Sequence, residues 1–251
     1  MEIRTFGVGE RLSECRRLLG ERAVGVAASR LFLLPIPTTR DKKLITGTDV
    51  TLRSLCDEVR AGDIVAGYGI PENIRAELCE GGAAVYDGAE DEELLLQNAA
   101  MTARGALGYI LTESPHDITD MKIGIVGYGR IGSCLLRYLL YLGAHVTVYT
   151  RRERVARELC ESGVGASVSL DGLSELDILV NTAPARLLTD GEALSFMRGA
   201  RILDLASGRV FPDAENLVKL SSIPEKFYPR TAGRVYAEGI LKFLFSEGEK
   251  C

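Results

Sequence analysis

A glycine-rich turn between a short apolar strand and an amphipathic helix most restricts how this chain can fold. Residues 121–132 read MKIGIVGYGRIG, in which three glycines have the spacing G-x-G-x-x-G. A helix-like segment, RIGSCLLRYLLYLG, and a second strand, HVTVYT, follow. This order predicts a βαβ unit that binds the pyrophosphate of a dinucleotide against a helix N-terminus. The residues predicted to bind the cofactor at this turn are Gly127, Tyr128, Gly129, Arg130, Ile131 and Gly132.

The end of the second strand indicates which dinucleotide is bound. An NAD site usually has Asp or Glu at this strand tip, but the sequence has Thr150, Arg151 and Arg152 there. A hydroxyl and two guanidinium groups suit a 2′-phosphate, which predicts NADP(H) as the cofactor. The alternative is that both arginines are solvated residues at the start of a helix. Two later strands, DILVNTAPA and RILDLAS, add Asn181, Thr182, Ala183, Pro184 and Ser207 to the predicted cofactor crevice.

Strand-like and helix-like segments alternate along the whole chain, which predicts parallel sheets joined by right-handed crossovers. Before the glycine turn, the apolar runs EIRTFG, LFLLPIP, DIVAGYG and AAVYDG are separated by helical patterns. We therefore predict an α/β fold with two domains. Residues 1–114 form a smaller Rossmann- or flavodoxin-like domain for substrate or partner, together with a connecting helix, and residues 115–251 form the NADP-binding Rossmann domain.

Composition narrows the classes of partner and compartment. The net charge of −5 argues against nucleic-acid binding, which needs a basic face for phosphates. The N-terminus has no signal-peptide pattern, and no apolar run is long enough to span a membrane, which predicts a cytoplasmic protein. The chain has two histidines and no C-x-x-C pair, so we expect no metal. An acidic protein must also hold an anionic substrate with locally placed Arg or Lys.

Five segments together resemble the A subunit of dipicolinate synthase: IGIVGYGRIG, LGAHVTVYTRR, DILVNTAPARLLT, ILDLAS and YPRTAG. The likeness covers most of residues 91–245 and continues more faintly into LLPIPTTRD. It implies an NADP-dependent oxidoreductase that converts dihydrodipicolinate to dipicolinate in sporulation, in the mother-cell cytoplasm, with a flavoprotein-like B subunit. We also expect a homo-oligomer. The chain departs from the family pattern at Arg104, where a Glu is common, and at Arg209, Val210 and Phe211, where Pro-Gly-Gly is common.

A cyclic dicarboxylate needs cationic ligands, and a two-point contact with Arg is the natural one. The candidate substrate-binding residues are Thr38, Thr39, Arg40, Arg104, Arg230 and Thr231. We expect the substrate between the two domains, across residues 37–40 and 229–233. No general base is evident, and the catalytic candidates are Arg230, Thr231 and His116. Each arginine among these candidates also fits an ordinary surface position, where it would cap a helix or form a salt bridge.

Two other functions fit parts of the pattern. A more distant likeness joins the chain to the D-2-hydroxyacid dehydrogenases, which share the two-domain plan. Such an enzyme needs a catalytic His near its C-terminal end, but no His follows His145. The other alternative is a non-catalytic NADP-binding sensor or scaffold, which would need no base.

Overall fold

The computed structural model describes residues 1–25, 30–184, 200–206 and 215–248. The chain forms two compact units, one of Met1–Asn98 with Pro224–Cys251 and the other of Ala99–Ile223. Each unit contains one parallel β-sheet flanked by helices. This arrangement confirms the predicted α/β fold class.

The first unit is built on a four-stranded sheet of order β1-β2-β3-β4. Its strands are β1 Glu2–Thr5, β2 Arg30–Leu33, β3 Ile64–Gly67 and β4 Ala84–Asp87. The helices that lie wholly in this unit are α1 Glu10–Arg22, α2 Leu52–Glu58, α3 Glu72–Glu80 and α8 Pro229–Gly248. Two further helices cross the division between the units: α4 Glu92–Glu113, which begins in this unit, and α7 Ile223–Phe227, which ends in it. Because all four strands are parallel, their carboxyl ends lie at one edge of the sheet.

The division between the units differs from the boundary predicted at residue 114. Helix α4 crosses the division, and α8 belongs with the first unit although it ends the chain. The reason for the second difference is direct packing of α8 on α1. A methyl group at Gly233 would lie 2.5 Å from the carbonyl oxygen of Arg11, so the two helix backbones approach closely. The hydroxyl of Tyr236 donates to the carbonyl of Leu34 at 3.2 Å, which ties α8 to the loop after β2.

The second unit has a six-stranded parallel sheet of order β10-β9-β8-β5-β6-β7. Its strands are β5 Lys122–Val126, β6 His145–Tyr149, β7 Gly165–Ser167, β8 Ile178–Asn181, β9 Arg201–Asp204 and β10 Leu217–Lys219. Helix α5 covers Arg130–Tyr141, helix α6 covers Glu153–Glu161, and two short 3-10 turns lie at Ile118–Asp120 and Leu173–Glu175. This order is that of the doubly wound dinucleotide fold, which confirms the predicted Rossmann architecture.

Helix α5 shows why this part of the sequence folds as predicted. It buries Leu135, Leu136 and Leu139 on one side, at the spacing that a helix repeats, while Tyr141 on the other side is exposed. Burial of these leucines against the sheet fixes the helix directly behind the glycine turn. No helix in the described part of the chain is long and apolar enough to cross a membrane.

Asp63, just before β3, is expected to make the free energy of unfolding depend on pH in the acidic range. Its carboxylate is 2% exposed and accepts two bonds from Arg30, at 3.1 and 2.5 Å, and one from the Arg60 N–H at 2.8 Å. Burial alone would raise the pKa of Asp63, but these bonds and the two positive charges outweigh it and lower the pKa. The stabilisation is therefore complete above the unfolded value of about 3.9 and is lost as pH falls through the lower folded pKa.

Urea unfolding of the wild-type protein and Asp63→Asn at several pH values measures this contribution. The free-energy difference between them should be constant above about pH 5 and should shrink as the pH approaches 3. Parallel stability curves through the acidic range would contradict the assignment to Asp63.

Candidate functional site

In the second sheet, the chain adds strands on one side of β5 up to β7 and then, from β8 on, adds them on the other side. Ligands of such sheets bind at the carboxyl ends of the two strands that flank this change, here β5 and β8. The two strand ends are tied together here. The Thr182 N–H donates to the carbonyl of Val126 at 2.9 Å, and the Thr182 hydroxyl lies 3.0 Å from the same carbonyl oxygen and 3.2 Å from that of Gly127. The glycine turn therefore rests directly against the loop after β8.

The three glycines of the turn have different roles. Gly127 has φ +94°, and a methyl group there would lie 2.8 Å from the Thr182 hydroxyl. At Gly132 a methyl group would lie 2.3 Å from the Gly127 carbonyl oxygen, so this glycine lets α5 pack against the turn. A methyl group at Gly129, in contrast, would meet no atom of the described residues within 4 Å. The fold thus requires Gly127 and Gly132, whereas Gly129 leaves open space at the turn.

The space at Gly129 fits a dinucleotide pyrophosphate. Gly129 precedes α5 directly, and none of the side chains that the structure describes caps that helix N-terminus. A phosphate in this position would meet N–H groups and the positive end of the helix dipole. The residues present therefore suit the bound group that the sequence predicted.

The tip of β6 places a guanidinium group beside the glycine turn. Thr150 is 8% exposed, whereas Arg151 and Arg152 are exposed. The Arg152 side chain donates from Nη2 to the carbonyl of Tyr128, which is a residue of the turn. A cation at the strand tip is therefore close to the predicted pyrophosphate site, and the first carboxylate after the tip is Glu153, which begins α6.

Asn181 and Asp204, at the ends of β8 and β9, form a buried polar pair. Nδ2 of Asn181 donates to Oδ1 of Asp204 at 2.8 Å and to the carbonyl of Ala183 at 3.2 Å. The same Asp204 oxygen accepts the Ala206 N–H at 3.1 Å, so this carboxylate both orients its neighbour and caps a turn. The pair thus holds the loop at the crevice. Ser207, Arg209, Val210 and Phe211 lie outside the described residues.

The predicted substrate residues after β2 differ in what they contact. Thr38 is fully buried, and its hydroxyl accepts the Tyr68 N–H at 2.8 Å, which joins this loop to the end of β3. The Thr39 hydroxyl donates to Asp41 at 3.2 Å, and Arg40 is exposed. The Thr38 side chain therefore serves the fold of this edge, and Arg40 is the accessible cation of the segment.

The other predicted substrate and catalytic residues fall in both units. Arg230, at the start of α8, is exposed and donates from Nε to Glu10 at 2.8 Å, a bond that raises the pKa of Arg230. Thr231, the next residue, is also exposed. Arg104 donates from Nη1 to the Tyr138 hydroxyl at 3.1 Å, and His116 is exposed. The first unit thus contains Thr38 and Arg230, and the second contains Arg104 and His116.

Sequence reasoning missed Arg11. This residue is 5% exposed, donates from Nη2 to the Asn98 side chain at 3.1 Å, and lies with its guanidinium 6.0 Å from the centre of the Tyr236 ring. The segment RLSECRRLL resembles a surface helix because three of its residues are arginines. The available signal was position: Arg11 is in the first helical turn after β1, at the carboxyl edge of the sheet.

Comparison with known proteins agrees with this geometry. Residues 100–219 match the D-isomer specific 2-hydroxyacid dehydrogenase family at its NAD binding domain. The A subunit of dipicolinate synthase from Bacillus subtilis (strain 168) is 28% identical over 166 residues, which are 62% of this chain and 56% of that protein. Shikimate dehydrogenase (NADP(+)) of Thermoplasma acidophilum is 35% identical over 105 residues, which are 41% of this chain and 36% of that protein. The matches thus span only part of either relative.

The fold extends the similarity over the whole chain. The crystal structure of the dipicolinate synthase A chain from Bacillus subtilis superposes with a TM-score of 0.81 at 20% identity, covering 100% of this chain and 98% of that one. These findings confirm the resemblance to the A subunit of dipicolinate synthase. Residues 100–219 thus match an NAD binding domain, and the fold of the whole chain is that of the dipicolinate synthase A chain.

Proposed function

We propose, from the similarity to the A subunit of dipicolinate synthase, that this chain is the NADP-binding component of an oxidoreductase that converts dihydrodipicolinate to dipicolinate. The observation that carries the proposal is the open space at Gly129, with a guanidinium beside it where an NAD site has a carboxylate. The reaction would take place in the mother-cell cytoplasm of a sporulating cell. The proposal includes a flavoprotein-like partner, the B subunit of such a synthase, together with a homo-oligomeric state.

Different residues of the second unit would bind different parts of the dinucleotide. Gly129 and the N-terminus of α5 would receive the pyrophosphate, and Arg151 and Arg152 the 2′-phosphate. Thr182, Ala183, Pro184 and Ser207 would line the ribose and nicotinamide, and Asn181 would keep their loop in place. When bound, the nicotinamide supplies the hydride acceptor that aromatisation of a dihydro ring needs.

The substrate would need cationic partners for its two carboxylates and an acceptor for one proton. Arg40 and Arg230 are accessible cations of the first unit, and Arg104 is an accessible cation of the second. The hydroxyls of Thr39 and Thr231 would add donors. Arg230 already has a carboxylate partner in Glu10, which a substrate carboxylate would have to displace.

NADPH should bind more tightly than NADH, and the double variant Arg151→Ala/Arg152→Ala should lose the preference. Removing a charged contact to the 2′-phosphate costs about 1.5–3 kcal/mol, which corresponds to about tenfold or more in affinity. Calorimetric titration with both cofactors measures the difference. Arg154→Ala is the matched control, because this arginine is also exposed and pairs with Glu158 on α6. Equal affinities of the wild-type chain for NADPH and NADH would contradict the NADP assignment.

Turnover of dihydrodipicolinate tests the proposed reaction. The purified chain is assayed with NADP, alone and with a flavoprotein-like B subunit of a dipicolinate synthase. Oxidation that depends on both proteins is the expected result. Turnover of 2-hydroxyacids instead would favour the D-2-hydroxyacid dehydrogenase alternative, to which the match over residues 100–219 points. Cofactor binding without turnover in either assay would favour a sensor or scaffold.

A further inference from the structure

Arg11 is a buried arginine with unused hydrogen-bonding capacity. Its side chain is 5% exposed, and its Nε has no hydrogen-bond partner in the part of the chain that the structure describes. Its contacts are a bond to the neutral Asn98 side chain and the ring of Tyr236, and no carboxylate in the described ranges forms an ion pair with it. Burying an ionised group without a counter-charge is costly, and a buried donor without a partner adds to that cost. An unsatisfied cation of this kind calls for a ligand that the protein itself does not supply.

The position of Arg11 suits an anion. It lies in the first turn of α1, directly after β1, at the edge where the carboxyl ends of all four parallel strands meet. The start of α8 packs against the same turn, as the bond from Arg230 to Glu10 and the close approach of Gly233 show. The N-termini of two long helices are therefore adjacent, and both contribute partial positive charge beside Arg11.

The charges around Arg11 leave it incompletely neutralised. Burial lowers the pKa of Arg11, whereas Tyr236 and Glu225 are the main influences that raise it. Glu225 is only partly buried and forms no ion pair with Arg11; its Oε1 lies against Gly9, 2.7 Å from where a methyl group on that glycine would be. The nearby acid thus affects Arg11 at a distance, and within the described ranges the Nε–H has no acceptor.

From this geometry we propose that Arg11 is a substrate-binding residue that holds one carboxylate of the substrate at the carboxyl edge of the first sheet. Its Nε–H and an Nη–H would form the two parallel bonds that an arginine makes to a carboxylate. The carboxylate would supply the missing counter-charge and the missing acceptor at once. The identity of the acid, a dihydropyridine dicarboxylate whose oxidised product is pyridine-2,6-dicarboxylate, rests on the proposed function, whereas the assignment of Arg11 as a carboxylate ligand does not.

The test compares Arg11→Met with the wild-type protein by calorimetric titration of pyridine-2,6-dicarboxylate and of glutarate, each in the presence of NADP. The variant should bind the acid about 30-fold or more weakly, because one carboxylate loses its charged partner. Its thermal midpoint without ligand should equal or exceed that of wild type, since methionine fills similar volume without a buried charge. Arg17→Ala is the matched control on α1, an exposed arginine paired with Glu14 and Glu21, and should change neither reading.

Arg11→Lys covers the case in which the methionine variant folds poorly. Lysine keeps the charge but not the two-point geometry, so the acid should bind about tenfold more weakly. If the wild-type protein binds glutarate but not pyridine-2,6-dicarboxylate, and the variants lose glutarate binding, the result would support Arg11 as a carboxylate ligand and contradict the proposed function. Unchanged binding of either acid by Arg11→Lys or Arg11→Met would overturn the role of Arg11 and leave the proposed function standing. A wild-type protein that binds neither acid would overturn the inference.

Discussion

Replacing Gly129 by valine is expected to abolish dinucleotide binding while the second unit remains folded. Gly129 has φ −98° and ψ −161°, an extended conformation that valine adopts readily, and a methyl group there meets none of the described atoms within 4 Å. The side chain would instead fill the space that the pyrophosphate needs. The pyrophosphate would then lose its contacts with the turn and with the N-terminus of α5. This loss should weaken NADPH binding by about 100-fold or more, or about 2.7 kcal/mol.

Two measurements on Gly129→Val separate binding from folding. Circular dichroism and the urea midpoint should match the wild-type protein, while the fluorescence enhancement of NADPH disappears. Gly132→Ala is the contrasting variant in the same turn. Its methyl group would lie 2.3 Å from the Gly127 carbonyl oxygen, so this smaller change should destabilise the unit by about 1–3 kcal/mol. Retained NADPH binding in Gly129→Val would show that the turn only connects strand and helix.

Replacing Asp204 by alanine should lower the free energy of unfolding of the second unit by about 2–5 kcal/mol. The carboxylate, 2% exposed, accepts from two buried donors, the Asn181 amide and the Ala206 N–H. Alanine removes the acceptor of the Ala206 N–H and of one of the two N–H groups of the Asn181 amide, at about 1–3 kcal/mol each. NADPH affinity should fall as well, because Asn181 also holds the loop at Ala183 against the glycine turn.

Urea unfolding followed by far-ultraviolet circular dichroism measures this loss. Asp204→Asn is the near-isosteric comparison: both bonds go to the same oxygen, so an amide oxygen in that place can still accept both, without the negative charge, and a smaller loss is expected. Asp171→Ala is the matched control, since that carboxylate is exposed and accepts from the Ser169 hydroxyl. A loss at Asp204 no larger than at Asp171 would mean that the pair contributes little to stability.

Local patterns were sufficient to predict the second unit. The spacing of Gly127, Gly129 and Gly132, the apolar stripe of α5 and the apolar strands on either side are all properties of neighbouring residues. A βαβ unit is formed by neighbouring residues, so its sequence pattern carries most of the information about its fold. The strand order, with its reversal between β5 and β8, is the one typical of the dinucleotide fold to which this pattern points. The short strands β7 and β10 were not predicted, because three residues show no clear periodicity.

The sequence by itself thus determined the α/β class, the dinucleotide turn and the absence of an acidic residue at the tip of β6. Only the tertiary structure decided that α8 returns to pack on α1, that Asp204 pairs with Asn181, and that Arg11 is buried with no ion-pair partner among the described residues. Each of these depends on contacts between residues far apart in the chain. Burial and hydrogen-bond partners at such contacts are set by how whole elements pack, which residue spacing within one element does not encode.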